Sequence, residues 1–217
     1  MIAVIAVALV VLFLAFAFLI GSIPFGYLIG RFVFRTDLRE HGSGNIGAMN
    51  ALRTVGKGGA VAVLLLDAAK GAVAPLLLSH AHAVGLGGGT FLIWHHAEGL
   101  IALSAAAAVL GHCFSPWLGW KGGKGVATAL GAVFAISWPA GLVMVAVWVI
   151  AALVLTHYSS VGSMAACVAS PFAIYAFTHS PAETGFGVFL AIFIVWTHRE
   201  NLSRLRQGTE GPIRLFR

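Results

Sequence analysis

Uncharged apolar blocks alternate along this chain with short polar segments rich in glycine. No Asp, Glu, Lys or Arg lies between Ile2 and Gly30, and the first block runs over about 2–34. A polar run, RTDLREHGSGNIGAMNALRTVGK, follows at 35–57. A second block covers about 58–78, a histidine-bearing loop 79–98, and a third block about 99–113. After the stretch FSPWLGWKGGKG at 114–125, the 58 residues from Gly125 to Ala182 carry no Asp, Glu, Lys or Arg. Ser137-Trp138-Pro139 and His157-Tyr158-Ser159-Ser160 are its natural breaks, and the last block covers about 184–197. A membrane-crossing helix takes roughly 20 apolar residues, so the blocks predict an all-α, polytopic membrane protein with about seven spans. The expected organisation is a single transmembrane domain over 1–217. Several blocks are shorter than a bilayer is thick, which points to a site opening at one membrane face.

Composition agrees. AVILMFWYC makes up 59% of the chain and charged residues 9%, against about 45–50% and about 25% in soluble domains. Mean hydropathy is +0.95. An ordinary cytosolic globule and a disordered chain are both excluded. Ala15-Phe16-Ala17 resembles a leader cleavage site, but no basic residue precedes the first block, so a retained first span is expected. Cys113 and Cys167 form no CxxC and imply no disulfide.

The net charge of +6 reports orientation and contact with anionic lipid before it reports any nucleic acid, and no nucleic-acid partner is expected. Arg31, Arg35, Arg39, Arg53 and Lys57 follow the first block, and Lys121 and Lys124 the third. Arg199, Arg204, Arg206, Arg214 and Arg217 follow the last. The connections at 79–98, 137–141 and 179–183 have no Lys or Arg. The positive-inside rule then places the N-terminus outside and the C-terminus in the cytoplasm, which requires an odd number of spans. The segments 35–57, 114–125, 157–163 and 198–217 share the cytoplasmic side. Polar loops that share one compartment can converge into one site.

The first segment, Gly42-Ser43-Gly44-Asn45-Ile46-Gly47-Ala48-Met49-Asn50 followed by Arg53, can form a nest of backbone N–H groups around an anion. A Ser43 hydroxyl and an Arg53 guanidinium would complete a phosphate or carboxylate grip. The competing reading is a flexible turn with capping Ser and Asn. The second, Lys121-Gly122-Gly123-Lys124-Gly125-Val126-Ala127-Thr128, puts backbone N–H groups and a lysine at a helix N-terminus, another anion site. It cannot be threaded as a Walker A motif. The competing reading is a lysine pair that only enforces topology.

In the third segment, His198 and Asn201 share a face if the last helix continues. Arg204 and Arg206 read as lipid headgroup binders. The hydroxyls of 158–163 cap the next helix or reach the same anion. Asp67 and Lys70 read as a mutually neutralising intramembrane pair. His80, His82, His95 and His96 have only Glu98 beside them, too little for a metal framework.

Taken together, these segments resemble the acyl-phosphate-dependent glycerol-3-phosphate acyltransferases of bacterial inner membranes, the PlsY family. The matching pieces are DLREHGSGNIGAMNALRTVGKGG at 37–59, LLLDAAKG at 64–71, GHCFSPWLGWKGGKGVATALG at 111–131 and HRENLSRLRQGTE at 198–210, with GSIPFGYLIGR at the end of the first block. The resemblance implies a seven-helix enzyme with a cytoplasmic active site. It would move a fatty acyl group from acyl phosphate to the 1-hydroxyl of sn-glycerol 3-phosphate, giving lysophosphatidic acid and phosphate. No cofactor, metal or obligate protein partner is implied beyond the two substrates and membrane lipid. By motif, Ser43, Arg53, Lys124, Ser163, His198 and Asn201 fall where the family's substrate-binding and catalytic residues lie. Lys124, His198 and Asn201 are the catalytic candidates. Asn45, Gly122 and Gly123 fall on its phosphate-cradling loops. The family usually has Thr-Asn where this chain has Met49-Asn50, so the donor phosphate would be held differently here. The histidine- and glycine-rich stretch at 80–98 is longer than the family leads one to expect.

The residues fit that chemistry. An acyl phosphate carries a good leaving group, so positioning two anions and stabilising developing charge suffices, without a covalent intermediate. His198, alone or with Asn201, would orient the attacking hydroxyl, or the donor's own phosphate would accept its proton. A small transporter for an anionic metabolite would share the anion loops and the Asp67–Lys70 pair, but no inverted repeat is visible in the sequence.

Overall fold

The computed structural model describes residues 2–83 and 97–213. His95, His96, Arg214 and Arg217, with most of the 79–98 connection, lie outside the described residues. Among those described there are ten α-helices and no strand. The chain divides into two compact units, Met1–Ile136 and Ser137–Arg217.

The first unit contains α1 (Ile2–Ser22), α2 (Phe25–Leu28), α3 (Ala48–Thr54), α4 (Gly56–Ala83), α5 (Ala97–Cys113) and α6 (Val126–Ile136). The first block is not one unbroken helix. Pro24 has no N–H to donate, and the backbone breaks there between α1 and α2. Next, α2 runs into a π turn, Ile29–Val33, and Arg35 at φ 52° stops it. α1 packs against α5, and α4 against α5 and α6. Gly71 lies against the Thr128 carbonyl and Gly131 against the Ala68 carbonyl, and a Cβ at either would collide. Small residues of this kind let membrane helices approach to backbone contact. The outward faces are apolar: Val4 is 73% exposed and Leu12 67%. A continuous surface of that kind suits hydrocarbon, not water.

The second unit contains α7 (Trp138–Val149), which ends in a π turn, Ile150–Leu155, then α8 (Ser159–Thr178), α9 (Pro181–Thr197) and α10 (Arg199–Arg206). α8 packs on both α7 and α9. Both expected breaks occur. Ser137 is extended with proline in the first turn of α7, and His157 sits at φ 62° ahead of α8. α9 starts earlier than the apolar block suggests, because the Ser180 hydroxyl accepts the Glu183 N–H at 3.3 Å and caps it.

Five helical segments are long and apolar enough to cross a membrane: Ala3–Val33, Gly56–Ala83, Ala97–Leu118, Trp138–Leu155 and Ser159–Thr178. α9 qualifies only jointly with α10, across a 55° bend. α6 has 11 residues, so at 1.5 Å per residue it covers about half of a hydrocarbon core of about 30 Å.

Candidate active site

The first glycine-rich loop is organised by one buried side chain. Asn50, in the first turn of α3, is 2% exposed. Its Nδ2 donates to the carbonyls of Leu38 (2.8 Å), His41 (3.0 Å) and Asn45 (2.8 Å), and its Oδ1 accepts the Ser43 N–H at 2.8 Å. One amide thus replaces the backbone ladder that the loop lacks. Gly42, at φ 60°, lies against the Asn50 carboxamide oxygen, where a Cβ has no room. Asn45 Oδ1 accepts the Gly47 N–H at 2.8 Å. The result leaves Ser43 exposed, and Arg53 exposed in the last turn of α3.

Asp37 anchors the loop's entry. It caps the Leu38–Glu40 turn through the Arg39 N–H and receives the Arg39 guanidinium, with Nη2 at 2.6 Å. That guanidinium stands 4.5 Å over the Tyr27 ring. Its hydrogen bonds hold the Asp37 carboxyl down at about 2.

The second loop is held by backbone. Beyond α5 the chain is tied to the end of α1, with Ser115 Oγ donating to the Ser22 carbonyl at 2.7 Å and Trp117 Nε1 to Ser22 Oγ at 2.8 Å. It then doubles back, so that the Gly122 N–H donates to Cys113 O at 2.9 Å and the Gly123 N–H to His112 O at 3.1 Å. This corrects the expected cradle: the N–H groups of Gly122 and Gly123 are spent on the end of α5 and are not presented to an anion. The donors that remain at this end are those of the first turn of α6, which have no intrahelical partner. Half-buried Lys124 stands two residues before α6.

Beneath this loop, Asp67 and Lys70 form the expected ion pair at 2.7 Å. The sequence reading missed the third member, His112, whose Nδ1 lies 3.6 Å from Asp67 Oδ1. Nothing in its spacing from Asp67 marks it, because α4 and α5 meet only in three dimensions.

The second unit holds Ser163, His198 and Asn201. Ser163 Oγ donates to Ser159 O at 2.8 Å and accepts Trp148 Nε1 at 3.3 Å. His198 does not continue α9. It sits at the bend, as the residue that precedes α10, and its Nδ1 lies 2.8 Å from Ile194 O. A carbonyl only accepts, so Nδ1 carries the proton and Nε2 is the basic nitrogen of the neutral ring.

Asn201 Nδ2 donates to Glu210 Oε1 at 2.6 Å, as does Ser160 Oγ at 2.8 Å, while Arg204 Nε donates to Oε2 at 2.7 Å. Burial pushes the Glu210 carboxyl up, but these hydrogen bonds outweigh it and hold it below the ordinary range. Arg204, expected as a headgroup binder, is therefore committed to Glu210. The sequence reading passed over Glu210. Its signal in the sequence is an acid, one of two with Glu200, in a mostly basic tail. Among the described residues no cluster of three or more His, Cys, Asp or Glu could hold a metal ion.

Residues 11–208 match the family model described as glycerol-3-phosphate acyltransferase. The chain is 44% identical over 200 residues to a glycerol-3-phosphate acyltransferase of Rhodopseudomonas palustris, covering 92% of this chain and 94% of that one. It is 43% identical over 203 residues to one of Mesorhizobium japonicum, covering 94% and 95%. Among solved structures it resembles the glycerol 3-phosphate form of PlsY (YgiH), an integral membrane glycerol 3-phosphate acyltransferase. The TM-score is 0.82 with 33% identity, covering 94% of this chain and 96% of that one. The lysophosphatidic acid form of the same enzyme gives 0.80 and 32%, covering 95% and 96%.

Proposed function

This chain belongs to the glycerol-3-phosphate acyltransferase family, and on that premise we propose that its acyl donor is an acyl phosphate. The glycerol 3-phosphate hydroxyl oxygen attacks the acyl carbonyl, the bond from that carbonyl to the phosphate oxygen breaks, and lysophosphatidic acid and inorganic phosphate leave. The proton passes to His198 Nε2 or to the departing phosphate. Either acceptor balances the step.

The observation that carries this reading is the end of the second loop, where half-buried Lys124 stands two residues before the N-terminus of α6. Lys124 and the first-turn N–H groups act on the phosphate that leaves, where negative charge develops. Gly122 and Gly123 serve by packing the loop onto α5, not by offering N–H groups. Ser43 and Arg53 hold the phosphate of glycerol 3-phosphate, with Asn45 shaping the loop between them. In the second unit, His198 and Asn201 orient the attacking hydroxyl, and Ser163 sets the start of α8.

In the bacterial inner membrane we place seven spans, counting α6 and α9, with the N-terminus outside and the active face cytoplasmic. The Lys and Arg distribution supports this. The domain remains one functional acyltransferase over 1–217, with its polar segments at 35–57, 114–125, 157–163 and 198–217.

Purified protein given palmitoyl phosphate and glycerol 3-phosphate should release phosphate one-for-one with lysophosphatidic acid. A transporter for an anionic metabolite would release none. Cysteines placed at 35–57 should resist an impermeant outside label, and labelling there would contradict the orientation.

A further inference from the structure

The first unit buries one charged cluster that the chemistry above does not use. Asp67 and Lys70 on α4 are 1% and 3% exposed, and His112 at the end of α5 is 3% exposed. Ionisable groups at membrane depth are costly, and apolar side chains of similar volume would join two helices at least as well. Span-to-span packing therefore does not account for them.

Their contacts do. Lys70 Nζ donates to Ile23 O at 2.6 Å, at the break between α1 and α2, and stands 5.7 Å from the centre of the Phe25 ring. Asp67 Oδ1 pairs with Lys70 at 2.7 Å and faces His112 Nδ1 at 3.6 Å. His112 then meets the glycine loop twice. Its carbonyl accepts the Gly123 N–H, and its Nε2 lies where a Gly123 Cβ would have to go. One residue beyond Lys70, Gly71 packs on the Thr128 carbonyl in the first turn of α6. The cluster thus touches the loop that leads into Lys124, and the neighbour of Lys70 touches the helix that follows it.

We propose that Asp67, Lys70 and His112 are positioning residues for the Gly122–Gly123–Lys124 loop, with the imidazole as the strut between the buried ion pair and the Gly123 backbone. Asp67 and Lys70 fix the ring, the ring and its carbonyl fix Gly123, and Gly123 fixes where Lys124 and the α6 N-terminus point. This rests on the reading of Lys124 given above.

The experiment is His112→Phe, which keeps ring volume and loses both nitrogens, made in the wild-type and Lys124→Ala backgrounds. Outer partners that orient ligands at metal sites cost about 10–100-fold when lost; by analogy kcat should fall about tenfold, with the KM for glycerol 3-phosphate nearly unchanged. In the Lys124→Ala background the same substitution should cost less than about twofold, because two residues acting as one unit are not additive. Amide exchange at 122–125 should accelerate while the helical amides of α4 and α5 keep their protection.

Full activity in His112→Phe, additive losses, or exchange accelerating evenly through α4 and α5 would overturn the proposal. Asp67→Asn, measured the same way, decides the matter if His112→Phe does not fold. If Lys124→Ala itself turned over normally, the reading of Lys124 would fail, and the exchange pattern alone would judge the positioning role.

Discussion

The two glycine-rich loops of the first unit look alike in sequence, yet they are held in opposite ways. The loop at 42–50 hangs on a side chain, the single Asn50 amide that ties together Leu38, His41, Ser43 and Asn45. The loop at 121–125 hangs on backbone, through the Gly122 and Gly123 N–H groups and the carbonyls that close α5. A loop held by one amide fails when that amide goes. A loop held by close backbone approach fails when a Cβ is added or the strut beneath it is lost. The two should also divide the kinetics, the first governing the acceptor's binding and the second the chemical step.

Four substitutions sharpen that contrast. Lys124→Ala should have the largest effect, lowering kcat by about 10²–10³, as loss of a donor to developing charge does. Near-normal turnover would make the lysine a topology signal only. Asn50→Ala leaves three carbonyls and an N–H without their partner, at about 1–3 kcal/mol for each group left buried and unsatisfied. The KM for glycerol 3-phosphate should rise at least about tenfold while the residual kcat stays closer to normal. Equal losses in kcat and kcat/KM would break the division of labour.

Arg53→Lys keeps the charge and loses the fork. It should raise the KM for glycerol 3-phosphate several-fold with little change in kcat. Asp37→Asn should have the smallest effect, about 0.5–1 kcal/mol in thermal unfolding, since Arg39 is 44% exposed and well screened. Its pH dependence has a definite sign. The carboxyl is depressed from 3.8 to about 2, so its contribution is complete above 3.8 and is lost as pH falls through about 2. The wild-type and Asp37→Asn melting temperatures should differ by a constant amount between pH 6 and 8 and converge in acid.

What the sequence made legible follows from period and composition. The breaks at 137–139 and 157–160 and the Asp67–Lys70 pair are local in the chain, and each appears where hydropathy or i, i+3 spacing puts it. The apolar blocks are legible in position but not in their bounds, since Pro24 breaks the first and Ser180 starts the last early. What stayed hidden depended on contacts between distant elements. Asn50 reads as an ordinary turn residue until its four bonds are seen. His112 gains its meaning only when α5 lies beside α4 and the glycine loop returns to it. Gly122 and Gly123 look like anion donors until their N–H groups are found bonded to α5. The 55° bend at His198 was hidden because apolar helix and polar tail join there without proline or glycine.

The most direct measurement compares donors on one preparation of the purified protein with saturating glycerol 3-phosphate. With acyl phosphate as the proposed donor, palmitoyl phosphate should support steady lysophosphatidic acid formation with matched phosphate release. Palmitoyl-CoA alone should give none. Robust product from palmitoyl-CoA without any acyl phosphate would contradict the account.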